Sequence, residues 1–96
     1  VIGVAALFEG ISFSIAWREI RRRTPFDLMI ANILAGPLIA LSGEISAAVA
    51  PGGDLVLSGL LVAQAPAVIA SYVSKGFRLD SHDRIAGWST LVLKRR

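Results

Sequence analysis

LMIANILAGPLIALSGEISAAVA, residues 28–50, is the segment from which we predict the fold of this chain. It carries one charged residue, Glu44, and it lies between Asp27 and Pro51. At a helical rise of about 1.5 Å per residue, the run is long enough to cross a hydrocarbon core about 30 Å thick. The sequence therefore predicts a membrane-spanning helix here, with a kink at Pro37.

Two further apolar runs flank this stretch. Residues 1–17 (VIGVAALFEGISFSIAW) precede it, and residues 55–73 (LVLSGLLVAQAPAVIASYV), with a second predicted kink at Pro66, follow it. Pro51, Gly52 and Gly53 form a predicted turn between the second and third runs. We therefore predict an all-α integral membrane protein with three transmembrane helices over residues 1–78. Residues 79–96 then form a short cytoplasmic or interfacial tail.

The composition favours the same interpretation. Hydrophobic residues make up 54% of the 96 residues and charged residues 18%, and the mean hydropathy is +0.65. A soluble domain of this size buries only about 60% of its unfolded surface, so much apolar surface would stay exposed to water. A lipid environment removes that difficulty.

The basic residues indicate an orientation in the membrane. They gather at two ends of the predicted helices and are absent from the turn at residues 51–54. By the positive-inside rule, both basic ends and the C-terminus are cytoplasmic, in a prokaryotic plasma membrane. No aromatic residues interleave the basic clusters, so we predict lipid contact and no nucleic-acid partner. The residues assigned to lipid headgroups are Arg18, Arg21, Arg22, Arg23, Lys75 and Arg78.

Small residues recur every four positions in each predicted helix. Such stripes let helix backbones approach closely in a membrane, where no hydrophobic effect drives helices together. They predict packing against other transmembrane helices in a homo- or hetero-oligomer. The predicted packing residues are Gly10, Ser14, Gly36, Ala40, Gly59, Ala63, Ala67 and Ser71.

Four polar side chains fall within the predicted spans and form a candidate intramembrane site. A carboxylate at Glu9 would have to be protonated, paired or directed into a polar cavity, and both a structural and a functional role remain open. Asn32 and Gln64 suit interhelical hydrogen bonds, and Glu44 could reach the far interface.

No residue pattern points to catalysis. The chain has no cysteine, and no nucleophile with a partner base, phosphate-binding loop or metal cluster stands out. Asp80, His82 and Asp83 could bind a metal by residue type, but this spacing favours a polar turn. We predict no enzyme activity and no catalytic, metal or cofactor-binding residue, and the sequence identifies no cofactor.

A family resemblance rests on short motifs. The segment LFEGISFSIAWREIRR, residues 7–22, resembles the fourth transmembrane helix of the cation diffusion facilitators. Residues 36–43 resemble their fifth helix, and Asp54 with residues 58–61 resembles the start of their sixth. The resemblance covers residues 5–78 and implies the same inward, outward, inward order of helices. The family's metal motif on the second helix is absent here, and the acidic position of the fifth falls near residues 29–30.

Two functions follow from these observations. The favoured one is a small integral membrane subunit or segment that packs in a larger complex without chemistry of its own. The alternative is part of a divalent-metal/proton antiporter similar to the cation diffusion facilitators, with Glu9, Asn32 or Glu44 lining its pathway.

Overall fold

The structure, a computed structural model, describes residues 4–8, 22 and 24–96. Within these residues the chain forms strands and short helices. In chain order they are β1 (Val4–Phe8), β2 (Phe26–Asn32), α1 (Ala35–Ala40), α2 (Ser42–Ala48), β3 (Val49–Leu61), a 3-10 turn (Val62–Gln64), α3 (Ala65–Val73), β4 (Phe77–Ile85) and β5 (Trp88–Arg95).

The strands of the described residues form one five-stranded sheet with the order β1-β2-β3-β5-β4. Strands β1, β2 and β3 are parallel, with Phe8 next to Asn32 and Asn32 next to Ser58 at their carboxyl ends. Strand β5 is antiparallel to both β3 and β4 and lies between them. The sheet is therefore mixed, with a parallel part and an antiparallel hairpin at one side.

Alternation of side chains along the strands separates the two faces of the sheet. In β2, Met29 and Ala31 are fully buried, whereas Ile30 is half-buried and Asn32 is exposed. Because side chains alternate along a strand, neighbouring residues point to opposite faces. The buried face continues across the sheet through Leu55 and Leu57 of β3 and Leu91 and Leu93 of β5.

The helices pack on this buried face and form the main core with it. Leu38 of α1, Ile45 of α2, and Val68 and Tyr72 of α3 join the same buried cluster as the inward strand residues. The hydroxyl of Tyr72 donates a 2.7 Å hydrogen bond to the Leu38 carbonyl, and its ring meets Phe77 edge-on at 5.9 Å. Tyr72 thus joins α1, α3 and β4.

The prediction of three transmembrane helices is wrong. No helix within residues 24–96 or the other described positions is long and apolar enough to cross a membrane. The predicted span 28–50 is divided among β2, α1, α2 and the start of β3, and the span 55–73 among β3, the 3-10 turn and α3. The span 1–17 contains β1, and its residues 9–17 lie outside the described residues.

The prolines begin helices instead of kinking long ones. Pro37 is the third residue of α1, and Pro66 is the second residue of α3. In the first turn a missing backbone N–H breaks no helical hydrogen bond, so proline is well tolerated there. Leu41, whose φ is −94° and ψ is 7°, separates α1 from α2. Both predicted kinks are therefore wrong.

The C-terminal residues belong to the sheet and do not form an interfacial tail. The predicted boundary at residue 79 falls within β4, which pairs with β5 from Phe77 to Ile85. Lys94 lies 3.2 Å from Asp54 in an ion pair, and the Arg95 guanidinium donates to the Val49 carbonyl. The backbone N–H of Arg96 donates to the Gly76 carbonyl at 2.9 Å. These contacts attach the last residues to the start of β3 and the start of β4.

Candidate functional site

The candidate site lies at the carboxyl ends of the parallel strands. In open α/β sheets, ligands bind in the crevice outside the carboxyl ends of the strands. Here β1, β2 and β3 end at the same edge of the sheet, which we call the carboxyl edge. Asn32, the last residue of β2, is the polar side chain that this edge exposes at the centre of the parallel part.

The amide of Asn32 rests against a strand position that has no side chain. Gly59 lies at a β-bulge in β3, where the register with β5 shifts between Leu57 and Leu60. Its φ is +84°, and a Cβ added there would lie 2.6 Å from Asn32 Oδ1 and 3.2 Å from the Ile33 carbonyl oxygen. Only glycine combines this backbone conformation with this approach at little cost. Gly59 therefore leaves the space that the Asn32 amide occupies.

Loops after β2 and β3 complete the edge. Leu34 is 60% exposed, and its carbonyl accepts the 3.1 Å hydrogen bond from Leu38 N–H that begins α1. After β3, the side-chain Oε1 of Gln64 accepts a 2.9 Å hydrogen bond from the Leu61 N–H. Gln64 thus holds the turn that ends β3, a local role that the membrane interpretation did not predict.

The described side chains at the carboxyl ends of β2 and β3, and in the loops that follow them, are uncharged. Asn32, Leu34, Ser58, Leu61 and Gln64 include no acid or base that titrates near neutral pH. An asparagine amide can accept a hydrogen bond through Oδ1 and donate through Nδ2, but it cannot serve as a proton-transferring base. The edge is therefore suited to orienting a ligand's N–H or O–H group.

Glu44 lies elsewhere in the molecule. It belongs to the first turn of α2 and lines, with Thr24, Ala47 and Ala48, an open cleft of about 220 Å³. Thr24 precedes β2 and Ala48 precedes β3, so this cleft is at the amino ends of the strands, opposite to Asn32. The structure does not bring Glu44 and Asn32 together, and Glu9 lies outside the described residues.

The residues predicted to pack between helices occupy varied positions. Gly36 and Ala40 are exposed on α1, Gly59 is at the bulge of β3, Ala63 is in the 3-10 turn, and Ala67 and Ser71 are on α3. Ser71 Oγ donates to the Ala67 carbonyl at 3.1 Å within α3. The stripe from residue 59 to 71 is therefore not one helical face, and Gly10 and Ser14 lie outside the described residues.

The described basic residues among those assigned to lipid headgroups do not border a membrane-spanning helix. Arg22 and Lys75 are exposed in turns, and Arg78 in β4 pairs with Asp80 at 3.3 Å. Arg18, Arg21 and Arg23 lie outside the described residues.

Of the candidate metal ligands, His82 Nε2 hydrogen-bonds to Ser89 Oγ at 2.7 Å. No three His, Cys, Asp or Glu side chains gather in the part of the chain that the structure describes.

Comparison with known proteins identifies relatives across almost the whole chain. The family model described as ribosomal protein L11 methyltransferase (PrmA) matches residues 8–96. The ribosomal protein L11 methyltransferase of Bradyrhizobium diazoefficiens is 49% identical over 77 residues, which cover 80% of this chain and 26% of the relative. That of Brucella suis is 42% identical over 91 residues, covering 95% of this chain and 30% of the relative. The chain thus spans less than a third of the length of these curated relatives.

Solved structures share the fold at low sequence identity. The ribosomal protein L11 methylase of Lactobacillus delbrueckii superposes with a TM-score of 0.78 at 18% identity, covering all of this chain and 71% of that one. A methyltransferase from Pyrococcus furiosus gives a TM-score of 0.63 at 16% identity, with 96% and 61% covered.

These matches correct the remaining predictions. The resemblance to the cation diffusion facilitators is wrong, because the matched family includes the segments 8–22, 36–43 and 54–61 on which it rested. The predictions of a membrane subunit and of a cation antiporter are therefore also wrong. So are the predicted partners, a lipid bilayer and other transmembrane helices, and the predicted location in a plasma membrane. The prediction of no enzyme is also wrong, since the relatives are named methyltransferases, which are enzymes.

Proposed function

Since this chain belongs to the ribosomal protein L11 methyltransferase (PrmA) family, we propose that it forms the acceptor side of a methyltransferase domain that modifies ribosomal protein L11. The observation that carries this proposal is the exposed Asn32 amide at the carboxyl edge, in the space left by Gly59. Leu34, two residues after Asn32, and Leu61, at the end of β3, add exposed apolar surface at the same end of the strands.

The chemistry of methyl transfer requires orientation more than proton transfer. The lone pair of an acceptor nitrogen forms a bond to the methyl carbon, and the bond from that carbon to its leaving group breaks with both electrons on the leaving group. The acceptor then loses a proton to solvent. If Asn32 Oδ1 accepts a hydrogen bond from one N–H of the acceptor amine, the lone pair of the amine nitrogen is held in a fixed direction.

The described edge fits a cationic methyl donor. S-adenosylmethionine, the common biological methyl donor, supplies an electrophilic methyl group on positively charged sulfur when it is bound. The side chains described around Asn32 carry no positive charge that would repel such a group. Exposed Leu34 beside Asn32 offers apolar surface that would keep water from the reacting nitrogen.

The test uses the full-length protein, ribosomal protein L11 and tritiated S-adenosylmethionine. Asn32→Ala should lower kcat/KM for methyl transfer about 100-fold, the size of effect expected when an orienting group is lost. Asn32→Asp keeps an acceptor oxygen and should retain clearly more activity than Asn32→Ala. Both variants should keep the wild-type circular dichroism spectrum, because Asn32 is exposed. Wild-type activity in Asn32→Ala would contradict the proposed role.

A further inference from the structure

Three exposed apolar side chains lie together where β4 turns into β5. Leu61, Ile85 and Trp88 are 45%, 76% and 53% exposed. Trp88 is directly opposite Ile85 in one strand pair and directly opposite Leu61 in the other. Directly opposite residues point to the same face of a sheet, so the three side chains form one continuous patch. We call Leu61, Ile85 and Trp88 the apolar tip.

The apolar tip shares both its edge and its face with Asn32. The start of β5 and the end of β4 lie at the carboxyl end of β3, because β5 is antiparallel to both. Ser89, Leu91 and Leu93 of β5 point into the core, so Trp88 points to the other face. Asn32 also points away from the core, since Ala31 beside it is fully buried.

The separation between the tip and Asn32 can be derived from the sheet geometry. Strand β3 lies between β2 and β5, so Trp88 is about 10 Å from Asn32 across the strands, at about 4.8 Å per strand. The tip lies two or three residues further along, or about 7–10 Å. These two displacements are perpendicular, so the straight-line distance from Asn32 to the tip is about 12–14 Å. About four residues of an extended peptide span that distance.

Resting on the proposed function, we propose that the apolar tip binds an apolar side chain of the protein substrate, about four residues from the methylated residue. The tip lies on the same face and at the same end of the strands as Asn32, within the reach of a short extended peptide, so the occupant that we propose is the acceptor segment itself. Exposed tryptophan in a contiguous apolar patch is typical of residues that contribute most to protein binding.

The backbone of the tip is well defined. Ala86 and Gly87 form a two-residue turn with φ of +52° and +83°, the geometry that matches the twist of a hairpin. The Val62 N–H donates a 3.0 Å hydrogen bond to the Gly87 carbonyl. This bond ties the hairpin to the end of β3, so the three apolar side chains are held beside one another before a substrate binds.

The experiment measures steady-state methylation of two L11 peptides by the full-length protein. One peptide keeps an apolar residue three to five positions from the methylated residue, and in the other that residue is serine. For the wild type the serine peptide should have a KM about tenfold higher, with little change in kcat. Ile85→Gln should raise the KM of the apolar peptide by a similar factor and leave that of the serine peptide unchanged, because the contact is already lost.

Leu79→Gln is the matched control. Leu79 is a 39% exposed apolar residue of the same strand, away from the tip, so its replacement should leave both KM values unchanged. Equal effects of Ile85→Gln and Leu79→Gln, or effects of Ile85→Gln that are the same on both peptides, would overturn the inference alone. Absence of methyl transfer by the wild type to L11 and to both peptides would overturn the proposed function and this inference with it.

Discussion

At the scale of single residues, Gly59 determines where the Asn32 amide can lie. Its positive φ and its close approach to Asn32 Oδ1 are separate constraints. Gly76 has a similar positive φ of +95° but no atom within 4 Å of an added Cβ. A substitution at Gly76 therefore tests backbone strain alone, whereas one at Gly59 tests backbone strain together with displacement of Asn32.

We expect Gly76→Ala to cost about 1–2 kcal/mol of unfolding free energy, because left-handed backbone disfavours a Cβ. Gly59→Ala should cost more, because its Cβ would also meet Asn32 Oδ1 and the Ile33 carbonyl oxygen. Gly59→Ala should also displace the Asn32 amide and lower methyl-transfer activity at least about tenfold, a typical cost of misplacing an orienting group. Urea denaturation and the tritium assay measure the two effects. Equal activity of the two variants would contradict the placement of Asn32 at the reacting end.

Tyr72 makes a second prediction at this scale. Its hydroxyl is buried and donates to the Leu38 carbonyl, so Tyr72→Phe leaves a buried carbonyl lone pair without that donor and should cost about 1–2 kcal/mol. Ser71→Ala is the control, since its hydroxyl bonds only within its own helix, and it should change stability by less than about 0.5 kcal/mol. Urea denaturation at neutral pH compares them.

The same tyrosine predicts a dependence on alkaline pH. Burial raises the pKa of the Tyr72 phenol above its ordinary value of 10.0 because desolvation disfavours the phenolate. The folded state therefore keeps a proton that the unfolded state loses above pH 10, and stability contributed by this group falls as pH rises from there. Between pH 9 and about 11, wild type should lose more stability than Tyr72→Phe. Parallel curves of unfolding free energy against pH for the two proteins would contradict this prediction.

At the scale of elements, the turn between β4 and β5 contains a residue that does not suit it. Ala86 has a φ of +52° and precedes Gly87 with a φ of +83°. Asparagine followed by glycine is the preferred pair when both turn residues have positive φ. Ala86→Asn should therefore raise the unfolding free energy by about 0.5–1 kcal/mol.

Thermal unfolding tests this prediction about the turn. Ala63→Asn provides the comparison, because Ala63 is also exposed but lies in the 3-10 turn, without a positive φ. The melting temperature should rise for Ala86→Asn and stay close to the wild-type value for Ala63→Asn. A decrease for Ala86→Asn would show that its backbone is not strained in the hairpin.

At the scale of the whole molecule, β5 joins the parallel part of the sheet to β4. Leu91 is fully buried in the core, and its neighbour Val92 is half-buried on the other face. Leu91→Ala should cost about 2–5 kcal/mol of unfolding free energy. Val92→Ala should cost less than half as much, since it leaves a smaller cavity. Similar losses in urea denaturation would contradict the alternation of β5.

Some features of the fold could be predicted from the sequence around particular residues. Residues 28–31 and 55–57 are short apolar runs beside polar or glycine positions, a pattern that fits buried parallel strands as well as parts of a long helix. Length did not separate the two alternatives, because α1, which follows the first run, and α3, which follows the second, carry no charged residue. Strand and helix therefore merged into apparent spans of membrane length.

Hydropathy alone shows that this chain must bury long apolar segments, one of which contains the polar residue Asn32. What covers those segments depends on the packing of the folded chain: α1, α2 and α3 pack on the sheet, so protein and not lipid surrounds Met29, Leu57 and Leu91. The folded chain also brings Asn32 to Gly59, 27 positions further along the chain, at the carboxyl edge. Strand pairing sets that contact, and the hydropathy of one apolar run does not by itself specify which other run it pairs with.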